Sequence, residues 1–151
     1  QLGFIGAAKT FFDYSSPSEA VSALNELRTV MPEAGLVPEV HRMKFEYYLG
    51  TGPKGAGNAL KVAKKYESDA IGGAWPSGFS VEAKFLIAIS TPATPPEYQT
   101  KLRGIIAQAR ATNPVISHRA NVELAHSLRK TDQVDEAKRL YATYIIHPIS
   151  N

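Results

Sequence analysis

The sequence predicts an all-α fold, an array of about four antiparallel helix hairpins, and three observations carry that expectation. Helix-start signals built around proline recur along the whole chain. The starts fall into two interleaved series whose intervals stay between 34 and 42 residues. Strand patterns are scarce, with Phe85-Leu-Ile-Ala-Ile89 the one run that could stand as a buried strand.

Proline suits the first turn of a helix because the amide it lacks has no acceptor there. Ser16-Pro17-Ser18-Glu19 therefore opens a helix, with Ser16 as cap and Glu19 completing a capping box, and Ala20, Leu24 and Leu27 follow at helical spacing. Val37-Pro38-Glu39 opens the next. Gly52-Pro53 starts a third, which carries Leu60, Ala63 and Tyr66. Ser80-Val81-Glu82 caps a helix near residue 80, which argues against the strand alternative for Phe85 to Ile89. Thr94-Pro95-Pro96-Glu97 repeats the grammar of Ser16 to Glu19 and leads into Leu102, Ile105, Ile106 and Ala109. Asn113-Pro114 and Thr131-Asp132 open the last two. Starts at 17, 53, 95 and 132 are separated by 36, 42 and 37 residues, and those at 38, 80 and 114 by 42 and 34. Two such series are what a hairpin repeat produces, one helix and then its antiparallel partner in each unit. The units run roughly 3-36, 37-78, 79-113 and 114-149 within a single domain, 1-151.

At 151 residues, 44% hydrophobic and 21% charged, the chain can bury a core without disulfides or metal. It has no cysteine, which removes disulfide frameworks, thiolate zinc sites, iron–sulfur clusters and thiol catalysis together and leaves the compartment open. The net charge of +3 is unevenly placed: residues 1–96 carry nine basic and nine acidic groups, residues 97–151 eight and five. That imbalance favours an acidic partner weakly. The opening Gln1-Leu-Gly-Phe-Ile-Gly-Ala-Ala8, without Met, points to an excised or processed piece, with Leu2 to Ala8 a frayed helix start rather than the stub of a targeting segment. No apolar run reaches the roughly 18 residues of a bilayer span. There is also no Asn-x-Ser/Thr sequon.

In the last unit Leu124-Ala125, Leu128, Asp135-Glu136-Ala137, Tyr141 and Pro148 stand in an order and spacing that resemble a tetratricopeptide repeat, the proline one residue early. Ala125 and Ala137 are small where two helices cross closely, and Leu124, Leu128 and Tyr141 fill the space beside the crossing. Asp132 departs from the usual turn glycine, and Tyr144 is large where a small residue is normal. Earlier units match more loosely: Phe45, Tyr48, Leu49 and Gly50 precede a helix with Ala59 and Ala63, and the third unit has an enlarged turn from Ser90 to Pro96. As a motif the resemblance covers one unit of about 34 residues, and as a rhythm most of the chain. Another helical-repeat family is the alternative. The resemblance implies a right-handed superhelical α-solenoid that serves as a protein-interaction scaffold.

Several motifs imitate chemistry. Gly50-Thr-Gly-Pro-Lys-Gly55 satisfies the dinucleotide pattern G-x-G-x-x-G, with Glu67 near the distance of a ribose contact. The pattern works when a strand feeds a helix whose amides meet a pyrophosphate, whereas here a helical segment precedes it and Pro53 removes an amide. A hairpin turn is the expectation. Asn58 after Gly57 excludes a Walker loop. Of His41, His118, His126 and His147, the middle pair lies two helical turns apart, about 12 Å, too far for one metal ion. Asp135-Glu136 has a sufficient role at a helix start. No G-x-S-x-G or other catalytic order stands out. The expectation is no catalytic residue, no metal and no cofactor.

Hairpin arrays present the first helix of each unit to a concave groove. In the last unit Arg119, Val122, His126, Arg129 and Lys130 form one stripe beside the packing stripe of Ala120, Leu124 and Leu128. Val40, Met43 and Tyr47 are the corresponding residues of the second unit, so the groove is expected to be apolar toward its middle and basic toward its C-terminal end. Three cations suit an acidic peptide, and a solvated basic face is the simpler alternative. Trp75, in the glycine-rich joint Ile71 to Phe79, is expected to plug the angle between repeats rather than anchor a partner. The run Leu140 to Ile149 lacks a polar capping helix, so either the protein continues or this hairpin self-associates. Single-stranded nucleic acid is disfavoured by the mild charge and the lack of interleaved aromatics. The expected function is a non-catalytic protein- or peptide-binding module, against the alternative of an accessory domain in a larger enzyme or a secretion or assembly protein.

Overall fold

A computed structural model describes residues 17–30 and 37–146. Among the described residues the chain is all helical, without a strand: α1 (Pro17–Val30), α2 (Val37–Gly50), α3 (Pro53–Gly72), α4 (Ser77–Ser90), α5 (Pro95–Thr112), α6 (Pro114–Lys130), α7 (Val134–Tyr141) and a π-helical turn, Ala142–Ile146. Phe85 to Ile89 lies within α4, so the strand alternative falls. Five of the seven expected starts fall within one residue of the observed ones, at 17, 37, 53, 95 and 114.

Two starts move. α4 begins at Ser77, behind Pro76, and not at Ser80. The Ser80 hydroxyl donates to the Ser77 carbonyl at 2.9 Å and Glu82 is buried, so the two are interior helix residues and not a cap pair. α7 begins at Val134 because Asp132, with φ of 59°, belongs to the end of α6. Ser16, the expected frayed helix start Leu2 to Ala8, and Pro148 lie outside the described residues, as do the side chains of Ala20, Leu24 and Leu27.

The chain divides into two compact units, Gln1–Tyr66 and Glu67–Asn151, the division falling within α3. In the first, α1 packs on α2 and Lys44 donates to the Asn25 side chain. Val21, Val40, Phe45, Ala59, Ala63 and Tyr66 are buried there, and the buried His41 ring stacks on Tyr66 at 5.1 Å and 16°. The α2–α3 turn needs glycine twice. Gly52 has φ of 81°, and a Cβ on Gly55 would collide with the Tyr48 carbonyl and the Thr51 hydroxyl.

In the second unit α4, α5, α6 and α7 pack in succession, and α6 also touches α4. Phe85, Leu102, Ile116, Leu124 and Leu128 are its largest fully buried side chains, each contributing about 1.5–3 kcal/mol of burial. Ala125 and Ala137, expected at the crossing, and Ala120, expected on the packing stripe, are all buried. The Thr94–Glu97 box forms: the Glu97 carboxylate accepts from the Thr94 amide at 3.0 Å and its hydroxyl at 2.8 Å. Those two bonds hold the Glu97 carboxyl below its ordinary pKa.

Trp75 closes the end of α3. Its amide donates to the Ala70 carbonyl at 2.9 Å and that of Ala74 to the Ile71 carbonyl at 3.1 Å, a Schellman pair with Ala74 at φ of 51°. The half-buried indole meets the Phe79 ring edge-on at 6.0 Å and lies where a Cβ on Gly73 would be.

Candidate binding face on α6

α6 is anchored at both ends by groups from neighbouring turns. At its start the Asn113 carboxamide accepts from the Ile116 amide at 3.2 Å and donates to the Gly78 carbonyl at 3.0 Å. One side chain thus caps α6 and ties it to the first turn of α4. The approach is close, because a Cβ on Gly78 would lie 2.6 Å from the Thr112 carbonyl. At the far end the Gln133 amide donates to the Leu128 carbonyl at 2.9 Å across the positive-φ Asp132, a Schellman-type stop. Buried Gln99 of α5 reinforces that stop, donating to the hydroxyls of Ser127 and Thr131 at 3.1 Å each and accepting from the Gln133 side chain at 3.3 Å. The Tyr98 hydroxyl donates to Glu123 at 3.2 Å, and burial together with that carboxylate raises the phenol above its ordinary range, so it stays a donor.

With its back fixed, α6 leaves one stripe accessible. Arg119, Arg129 and Lys130 are exposed, and Val122 and His126 are half-buried between them. The Arg119 guanidinium lies over the Phe85 ring, 5.0 Å from its centroid, and the His126 ring meets Tyr141 at 5.5 Å. Among the described residues no ion pair engages Arg119, Arg129 or Lys130, whereas Arg103 pairs with Glu136 at 2.9 Å. That pairing holds the Glu136 carboxyl below its ordinary pKa. Arg129 and Lys130 also sit where a helix C-terminus favours positive charge, which is a structural reason for them.

The other expected residues belong to the first unit. Val40 is 3% exposed, so its side chain is interior and not presented at a surface, while Met43 and Tyr47 are half-buried, Tyr47 with its ring 5.1 Å from that of Tyr48. Of the apolar end of the expected set, only Val40 is taken into the interior.

Sequence reasoning missed the ring pairs. His118 meets Tyr144 edge-on at 5.6 Å, and its Nδ1 is buried without a hydrogen-bond partner among the described residues, as is the Tyr141 hydroxyl. Two further contacts were missed, the Arg119 guanidinium over Phe85 and the Gln133 side chain on Gln99, and each joins segments far apart in sequence.

The look-alike chemistry does not assemble. Gly50 ends α2 and Pro53 begins α3, so the dinucleotide pattern spans a helix–turn–helix and no strand feeds it. No group of three His, Cys, Asp or Glu able to hold a metal occurs among the described residues, and His147 lies outside them. No helix among them is long and apolar enough to cross a membrane. No protein-family model matches the chain, and no curated protein and no solved structure matches it significantly.

Proposed function

We propose that this chain is a non-catalytic protein- or peptide-binding scaffold of tetratricopeptide-like helix hairpins, with the basic stripe of α6 as its contact face. The observation that carries the reading is the set of three exposed cations on a helix otherwise locked by packing, none of them in an ion pair among the described residues. Charges outside any internal ion pair are available to carboxylates from outside, and charge-assisted bonds of that kind give specificity as well as affinity. Support for the repeat comes from α6 touching α4 two helices back, as stacked hairpins require, and from helix starts at 77 and 114, 37 residues apart, beside starts at 95 and 134, 39 apart.

The test compares the chain with its Arg119→Glu/Arg129→Glu/Lys130→Glu variant, matched by circular dichroism. A partner captured from the source extract is rebound as a purified segment to both. Loss of binding with the variant alone is expected. Equal binding by both moves the contact face elsewhere, and no partner for either favours an accessory domain without a binding role of its own.

A further inference from the structure

We infer that the α6 stripe takes an extended peptide segment of the pattern acid–x–apolar–x–acid, an inference that rests on the binding-face reading above. The stripe has a definite length. Arg119 and Arg129 are ten residues apart on one helix, about 15 Å at its rise per residue. Between them the half-buried groups are Val122, Glu123, whose carboxylate accepts from the Tyr98 hydroxyl of α5, and the His126 ring that lies against Tyr141, so the part of the middle not engaged by α5 is apolar and aromatic.

An extended chain advances about 3.3 Å per residue and turns alternate side chains to the same side. Residues i, i+2 and i+4 of such a chain share a face and span about 13 Å, which leaves about 2 Å for the long arginine side chains to cover. Acids at i and i+4 then reach Arg119 and Arg129 together, while the residue at i+2 lies between Val122 and His126. Acids separated by an odd number of positions point to opposite sides, and one of them is lost to solvent.

Arg119 is the pre-oriented end. One face of its guanidinium rests on the Phe85 ring, which restrains the side chain and leaves the N–H edges for a carboxylate. A nucleic acid strand fits the stripe less well, because it carries a charge at every residue and sets one beside Val122, where there is no cation.

The experiment titrates the 151-residue chain, at low salt, with end-blocked fluorescent peptides read by anisotropy. The probes are Glu-Ser-Leu-Ser-Glu, the shifted Glu-Ser-Leu-Ser-Ser-Glu, the neutral Gln-Ser-Leu-Ser-Gln, and an oligothymidylate of five residues. The expected result is tightest binding of the first, with the shifted peptide weaker by roughly fivefold, the worth of one surface charge pair. The neutral peptide and the oligothymidylate bind weaker still. Arg119→Lys keeps the charge but not the stacked fork, and it lowers affinity for the first peptide severalfold. Equal affinity for the two acidic peptides, abolished by Arg129→Glu, overturns the spacing while leaving an acidic-peptide face in place. Binding of neither acidic peptide, or tighter binding of the oligothymidylate, overturns both.

Discussion

The α2–α3 and α6–α7 hairpins solve the same problem with different residues. In α2–α3 the turn is closed by backbone approach: Gly52 adopts a left-handed conformation, and Gly55 lies so near the Tyr48 carbonyl that no side chain fits. In α6–α7 the left-handed position is held by Asp132, and the close approach is made by small side chains, Ala125 and Ala137. Their interiors differ too. A stacked His41–Tyr66 pair lies in the first, whereas Leu124 and Leu128 fill the second and leave its His–Tyr contacts at the margin. The left-handed turn position can therefore be filled by glycine or by aspartate, while buried alanines serve both hairpins, Ala59 and Ala63 in the first and Ala125 and Ala137 in the second.

That contrast can be broken most strongly in the second hairpin's interior. Leu128→Ala should cost about 2–5 kcal/mol, since the side chain is fully buried and the neighbouring helices relax only partly into the space, and urea unfolding measures it. Gly55→Ala should cost about 1–3 kcal/mol, because the atom it meets is a backbone carbonyl that cannot rotate away. If Gly55→Ala is neutral, the first hairpin does not depend on backbone approach. Asp132→Gly should go the other way, raising stability by roughly 0.5 kcal/mol, as relief of left-handed strain exceeds the added freedom of the unfolded chain. Its thermal midpoint should rise by a degree or two, and a fall would show that the Asp132 carboxylate has a role of its own.

The smallest effect is an acid one. Glu97 has a folded pKa below the ordinary carboxylate range, chiefly from the bond donated by the Thr94 amide and then that from the Thr94 hydroxyl. A carboxyl depressed by folding contributes stability that is complete above the unfolded pKa and is lost as pH falls through the folded one. Urea midpoints taken from pH 6 down to pH 3 should therefore decline less steeply for Glu97→Gln than for the parent chain. Parallel declines would mean that the carboxylate bonds are not formed in solution.

Much of the helix order was legible because capping is local. Thr94, Glu97, Asn113 and Pro114 interact within four residues, so their roles can be read from neighbours alone. Asp132 was legible as a departure from glycine, and its positive φ is the reason glycine is usual at such a position. The shift of α4 from Ser80 to Ser77 was not legible. It depends on Gly78 meeting the Thr112 carbonyl and on Asn113 reaching the Gly78 carbonyl from 35 residues away. On the stripe, Arg119, Val122, His126, Arg129 and Lys130 could be placed together by helical spacing, and their exposure agrees with it. Val40 could not be, since the same spacing serves a buried and an exposed face equally well.

What the amino-acid sequence determined by itself is the all-helical class, the number and approximate starts of the described helices, and the grouping of cations on one side of α6. Proline, capping side chains and apolar periodicity act over one or two turns, and that range is printed in the chain. Only the tertiary structure decided that Val40 is interior, that Arg119 rests on Phe85 and that Gln99 secures the end of α6. Those outcomes depend on which surfaces meet when helices distant in sequence pack, and capping and apolar periodicity do not reach that far.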